Sequence, residues 1–194
     1  AVFPTLSEQS ARDDHDAMRA TLGASLRSML FLILPASITL IVMPAPIIAL
    51  LLQRGQFTAA NTEATAFALR FYALGIVAYG VVEIVTRVFY ALHDTRTPVM
   101  VGAGIMLLNI VLSLALIEPL KHGGLALANA IATTVEMTLL LYLLRGRLGG
   151  TFGGTRLASH AARMTLASLL MGAAMWGVAA ALSAEGSAWL VGSA

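Results

Sequence analysis

The stretch that decides the fold is Ser28-Met29-Leu30-Phe31-Leu32-Ile33-Leu34-Pro35-Ala36-Ser37-Ile38-Thr39-Leu40-Ile41-Val42-Met43-Pro44-Ala45-Pro46-Ile47-Ile48-Ala49-Leu50-Leu51-Leu52-Gln53. It holds 26 residues without a charge, bounded by Arg27 and Arg54. As a helix it would reach about 39 Å, enough to cross a hydrocarbon layer of about 30 Å with tilt. Pro35, Pro44 and Pro46 lie inside it. Proline leaves a backbone carbonyl without its partner, and in lipid that group must be satisfied elsewhere. Kinks that face protein or water are therefore expected here.

Working outward, four more spans follow: roughly Phe71–Leu92, Val99–Ile117, Gly123–Leu144 and Met164–Ala184, and an apolar stretch begins at Trp189. The helical pattern of the second begins earlier, near Thr58 or Asn61, after Gly55. Pro98 sits in the first turn of the third, where proline is tolerated. The glycine and threonine cluster from Gly149 to Thr155 reads as a loop. The whole chain agrees: 58% of its 194 residues are hydrophobic and 11% charged, where a soluble domain carries about 25%. So few charges cannot cover a water-facing surface, which excludes a soluble enzyme. A net charge of +2 offers no polyanion-binding signal, and the absence of cysteine removes disulfides and thiolate chemistry. With no initiating methionine and an apolar stretch at its end, the chain reads as a piece of a longer membrane protein. The expected fold class is all-α, a polytopic transmembrane helix bundle with five full spans and a truncated sixth.

Charge placement sets an orientation. Arg12, Arg19 and Arg27 precede the first span, Arg96 lies between the second and third, and Arg145, Arg147, Arg156 and Arg163 lie between the fourth and fifth. Arg54, Arg70 and Lys121 lie on the opposite side. Eight against three puts residue 1 on the cytoplasmic side by the positive-inside rule. Before the first span, Asp13, Asp14 or Asp16 can cap a helix on which Met18, Leu22 and Leu26 recur every four residues. The organisation expected is a cytoplasmic loop and amphipathic helix over 1–27, four spans over 28–145, a basic cytoplasmic loop over 146–163, and a further span with the start of another over 164–194.

Ionisable groups within spans cost about 2.5–3.5 kcal/mol on insertion scales and usually face a bundle interior or a watery cavity. Glu83 and Arg87 stand four apart on the second span, so they share a face and can neutralise each other. A cavity lining is compatible with that pairing. Glu136, on the fourth span at similar depth, has no partner in its own helix and is the better cavity candidate. Asn109 and Ser113 share a face of the third span, and Asn129 lies at comparable depth on the fourth. These oxygens suit either a hard cation such as Na⁺ or interhelical hydrogen bonding. Gly124, Ala128 and Ala132 form a small-residue ridge for close packing. The four histidines are scattered, and no nucleotide loop, metalloprotease pattern, nucleophile elbow or paired carboxylates appear. Passage rather than covalent chemistry is what these residues can support; no enzyme is expected.

Several strings, in order, then carry a resemblance. They are Phe3-Pro4-Thr5-Leu6-Ser7, Arg54-Gly55-Gln56-Phe57-Thr58, Phe89 to Pro98 with Asp94-Thr95-Arg96-Thr97-Pro98 at its end, Leu108-Asn109-Ile110-Val111, and Gly124-Leu125-Ala126-Leu127-Ala128. The chain resembles the MurJ/MviN family, the lipid II flippases of bacterial peptidoglycan synthesis, within the multidrug/oligosaccharidyl-lipid/polysaccharide exporter superfamily. The resemblance covers about residues 1–148. Pro4, Ser7, Arg54, Gly55, Phe57, Asp94, Arg96, Thr97 and Pro98 are the motif positions that carry it.

The resemblance implies helices nine to thirteen of a fourteen-helix transporter in the bacterial inner membrane, with Phe3 to Ser7 on the cytoplasmic side. It implies alternating access that moves lipid II, or a related undecaprenyl-pyrophosphate-linked saccharide, between leaflets. The headgroup-binding basic residues would come mainly from the amino-terminal lobe. The implied partners are that lipid and the surrounding membrane, with no nucleic acid, and the transporter is expected to be monomeric. The implied coupling ion is Na⁺, at the positions of Asn109, Ser113, the Leu125 carbonyl and Asn129; Ser113 replaces an acidic ligand there, and fewer charged ligands hold a cation less tightly. An exporter of another polyprenyl-linked saccharide or of drugs, and a membrane scaffold without a transport cycle, are the competing readings.

Overall fold

The computed structural model describes the backbone of residues 2–150 and 154–191 and the side chains of 4–150 and 159–181. The described residues form seven helices and no strand: α1 (Val2–Ala11), α2 (His15–Val42), α3 (Pro44–Leu52), α4 (Ala59–Ala91), α5 (Arg96–Leu120), α6 (His122–Leu148) and α7 (Gly154–Val191). Five are long and apolar enough to cross a membrane: α2, α4, α5, α6 and the Ser159–Ala181 part of α7.

The first uncharged stretch is two helices rather than one kinked span. Pro44 excludes the helical conformation from Met43, which sits at φ −121° and ψ 46°, and then starts α3 at a position where its missing N–H costs nothing. Pro35 has no such effect and lies inside α2. The amphipathic segment is continuous with the first span, because nothing between Asp14 and Met43 interrupts the helix. Residues 2–11, expected as loop, are also helical. The basic stretch 146–163 is likewise mostly helix. α6 carries Arg145 and Arg147 in its last turn, where cations are favoured by the helix dipole, and closes on Gly149 at φ 65°. Of the anticipated loop at 149–155, residues 151–153 lie outside the described ones, and α7 has begun by Gly154. The backbone of α7 runs unbroken through Trp189 to Val191, so no new helix starts at Trp189; residues 192–194 lie outside the described ones.

Two turns at one end of the bundle share a construction. After α1, Asp13 takes φ 56°, the Asp14 amide donates to the Gln9 carbonyl (3.0 Å), and the Asp14 carboxylate then accepts from the Ala17 amide (2.9 Å) at the start of α2. After α4, His93 takes φ 58°, the Asp94 amide donates to the Phe89 carbonyl (2.9 Å), and the Asp94 carboxylate accepts from the Thr97 amide (3.1 Å). Each aspartate thus ends one helix and caps the next.

Beside these turns lies the main apolar cluster. It joins Leu6 of α1, Met18, Leu22 and Leu26 of α2, Val81, Val85, Val88 and Phe89 of α4, and Leu140, Leu144 and Leu148 of α6. The Met18–Leu22–Leu26 face read from the sequence is therefore the buried face of α2. Further along, α4 is central. Ser37 of α2 donates to the Ala73 carbonyl at 2.5 Å. Gly75 lets α6 approach closely: a Cβ there would fall 3.0 Å from the Ala130 Cα. Ala128 and Ala132 of the small-residue ridge are buried, at 0% and 1% exposure. α5 packs on α6 and buries only Pro98. Its outer face, from Val99 to Ile117, is apolar and open.

Candidate functional site

On α4, Tyr79, Glu83, Thr86 and Tyr90 recur at helical spacing and form one polar stripe, with Arg87 alongside. The Arg87 guanidinium donates to Glu83 Oε1 from Nη2 (2.5 Å) and Nε (3.1 Å), so the expected i,i+4 pair is made. Both side chains stay more than half exposed and, with Thr86 and Tyr90, line a groove of about 430 Å³. Neutralised yet open, the pair suits a watery face.

A second groove, of about 390 Å³, lies where α4, α5 and α6 meet. Tyr79, Gly102, Asn109, Asn129, Thr133 and Glu136 are among its lining residues. Glu136 reaches over Gly102, where a Cβ would stand 3.8 Å from Oε1, so the glycine leaves room for the carboxylate. Asn129 is the hub. Its Nδ2 donates to the Tyr79 hydroxyl (2.8 Å), and its Oδ1 accepts from Asn109 Nδ2 (3.2 Å). Ser113 in turn donates to Asn109 Oδ1 (3.3 Å). The chain Tyr79–Asn129–Asn109–Ser113 thus ties three helices together. Glu136 and the two asparagines, treated apart in the sequence, share one groove. Tyr79 was not anticipated; an aromatic residue on an apolar helix carries no signal of a polar role until its neighbour is known.

Asn109, Ser113 and Asn129 come together, but their side chains already bond one another, and Leu125, one turn before Asn129, is 41% exposed. The set contains no carboxylate, and among the described residues no cluster of three histidine or acidic side chains forms. This is an interhelical clamp of neutral oxygens. It is less acidic than the Na⁺ cage the resemblance implies.

The motif residues sit at the helix ends. Gly55, at φ 60°, turns the chain after α3, and the Phe57 amide donates to the Arg54 carbonyl (3.1 Å) before Thr58 starts α4. Pro4 and Ser7 lie on α1, flanking the buried Leu6. Asp94 accepts from both the amide and the hydroxyl of Thr97 (3.1 and 2.7 Å) and meets Arg147 of α6 at 2.9 Å. Those contacts, the Thr97 hydroxyl first, hold its carboxyl below the ordinary carboxylate range. Pro98 is buried in the first turn of α5, while Arg96 is exposed.

This order of helices, turns and motifs has counterparts. The family model for the lipid II flippase MurJ matches residues 1–193. The chain belongs to the MurJ family. Among MurJ relatives, a probable lipid II flippase of Haemophilus influenzae is 29% identical over 181 residues, covering 90% of this chain and 35% of its own length. One of Rickettsia prowazekii is 33% identical over 131 residues, 68% of this chain and 26% of that one. A solved lipid II flippase MurJ in an inward closed conformation superposes with a TM-score of 0.78 at 27% identity, over 92% of this chain and 36% of that one. The chain thus spans about a quarter to a third of the length of the MurJ proteins it matches, and it is a multi-pass membrane segment of that family.

Proposed function

We propose that this chain forms part of a flippase that carries lipid II across the bacterial inner membrane by alternating access, as a transporter rather than an enzyme. The observation that carries the reading is the family match over residues 1–193, on a helix order shared with a solved MurJ. The polar stripe of α4 and the groove at α4, α5 and α6 supply the water-facing side such a cycle needs, with Glu83, Arg87 and Glu136 as cavity residues. The Glu83–Arg87 pair lets a charged face exist at low insertion cost, while Glu136, unpaired among the described residues, offers a carboxylate to a donor-rich sugar or peptide.

The orientation proposed places residue 1 in the cytoplasm. It is supported by the eight-to-three basic asymmetry and by the gathering of α1, the α4–α5 turn and the end of α6 at one end of the bundle. A reporter fused after Arg156 should read cytoplasmic; an external reading would reverse the topology. Coupling to Na⁺ through Asn109, Ser113, Leu125 and Asn129 would be weak in this chain, because those oxygens bond one another.

The test is complementation. The full-length protein containing this chain, expressed in a bacterium depleted of its own lipid II flippase, should restore growth and lipid II export. Lack of rescue by a well-expressed, membrane-inserted protein would refute the assignment.

A further inference from the structure

A third groove lies away from both polar ones and shares no lining residue with them. It runs between α2, α4 and α7, has a volume of about 440 Å³, and is lined by Ile38, Val42, Leu169 and Trp176 with Arg70 at its α4 edge. Its shape follows from one glycine. At Gly172 a Cβ would fall 2.6 Å from Ile38 Cγ2 and 3.3 Å from Val42 Cγ2, so α7 lies directly on α2. α7 makes no comparable contact with α4, and the space between them stays open.

Arg70 is the unusual wall. Among the described residues no carboxylate pairs with it and no hydrogen bond engages it. It lies 21 residues before Ala91, the opposite end of α4. At 1.5 Å per residue that is about 32 Å, close to the thickness of the hydrocarbon layer. With Ala91 at one face of that layer, Arg70 falls at the other, on the side of α3. Trp176, 67% exposed, marks the same level on α7, where indole rings favour the headgroup region.

We propose that this groove holds one phospholipid of the leaflet on the α3 side, its phosphate on the Arg70 guanidinium and an acyl chain along the α2–α7 slot. A planar guanidinium presents paired donors that match phosphate oxygens. The aliphatic wall of Ile38, Val42 and Leu169 matches a hydrocarbon chain. A phospholipid carries both parts in one molecule. A docked protein segment would have to bring a carboxylate and a long apolar side chain to the same two places. The site is independent of what the transporter moves, since Glu83, Arg87 and Glu136 play no part in it.

The experiment is native mass spectrometry of the full-length protein in detergent with added phosphatidylglycerol, on the monodisperse fraction of each variant. The unaltered protein should keep one phospholipid under activation that strips the others. Arg70→Gln should lower that retention about tenfold or more, as charge-assisted hydrogen bonds are lost, and Arg70→Lys should preserve it in part. Ala173→Leu, which fills the slot without touching the charge, should also release the lipid. Lys121→Gln, an equal loss of charge at the same end, should leave it bound. Retention unchanged in Arg70→Gln or in Ala173→Leu would overturn the proposal. So would a retained polyprenyl lipid or inorganic phosphate in place of the phospholipid.

Discussion

The Asp94 carboxylate meets the Arg147 guanidinium at 2.9 Å, joining the α4–α5 turn to the last turn of α6 across 53 residues of sequence. The same carboxylate caps α5 through Thr97. Asp94→Ala should therefore lose a cap and an ion pair together, about 1–2 kcal/mol in all. Arg147→Ala should lose the exposed pair and a favourable charge at the end of α6 but keep the cap, about 1 kcal/mol in all. A double-mutant cycle on thermal stability in detergent separates the two.

The pH dependence of that tie has a defined sign. The folded carboxyl lies below its ordinary value of 3.8, so its contribution is fully present above that value and is lost as pH falls through the lower folded one. The difference in Tm between the unaltered protein and Asp94→Asn should be constant from about pH 5 upward and shrink below about pH 4.

Glu136 and Asn129 line one groove but do different work. Asn129→Ala breaks bonds to Tyr79 and Asn109 and should cost about 0.6 kcal/mol per interhelical bond, with flipping retained. Glu136→Ala breaks no hydrogen bond among the described residues and should lower flipping with little change in Tm. A lipid II export assay beside a melting curve distinguishes them. The reverse order, accompanied by loss of Na⁺ dependence, would restore the cation reading.

Gly75 sets the distance between α4 and α6, with Ala130 Cα already 3.0 Å from where a Cβ would stand. Gly75→Val should cost about 1–3 kcal/mol by forcing the helices apart. A cysteine pair crosslinked across α4 and α6 should lose efficiency in that variant.

Much of this was readable from pattern alone. Spans appear because hydropathy over 20 residues needs no tertiary knowledge. The Met18–Leu22–Leu26 face and an aspartate cap among Asp13, Asp14 and Asp16 follow from spacing and local chemistry, and the fold selects Asp14. The break at Met43 was less legible, since Pro35 and Pro44 look alike in sequence and only Pro44 ends a helix. The basic segment around Arg145 and Arg147 reads as loop because charges cluster in loops, yet a helix C-terminus favours the same charges. Tyr79 and the Asp94–Arg147 tie had no local signature; each depends on a partner about 50 residues away that only packing supplies. The Asn109–Asn129 pairing was anticipated by depth, but depth does not say whether two amides hold an ion or hold each other.

Because Asp94 both closes α4 and opens α5, the turn between them contains no spare residue, and this fixes a rotational phase. Adding or removing one residue between Leu92 and Thr95 would turn α5 by about 100° about its axis. Asn109 would swing off Asn129 and the interhelical bond would be lost. The helices α4, α5 and α6 are in this sense geared together. A change of one residue in this turn would thus be felt at Asn109, on the contact between α5 and α6.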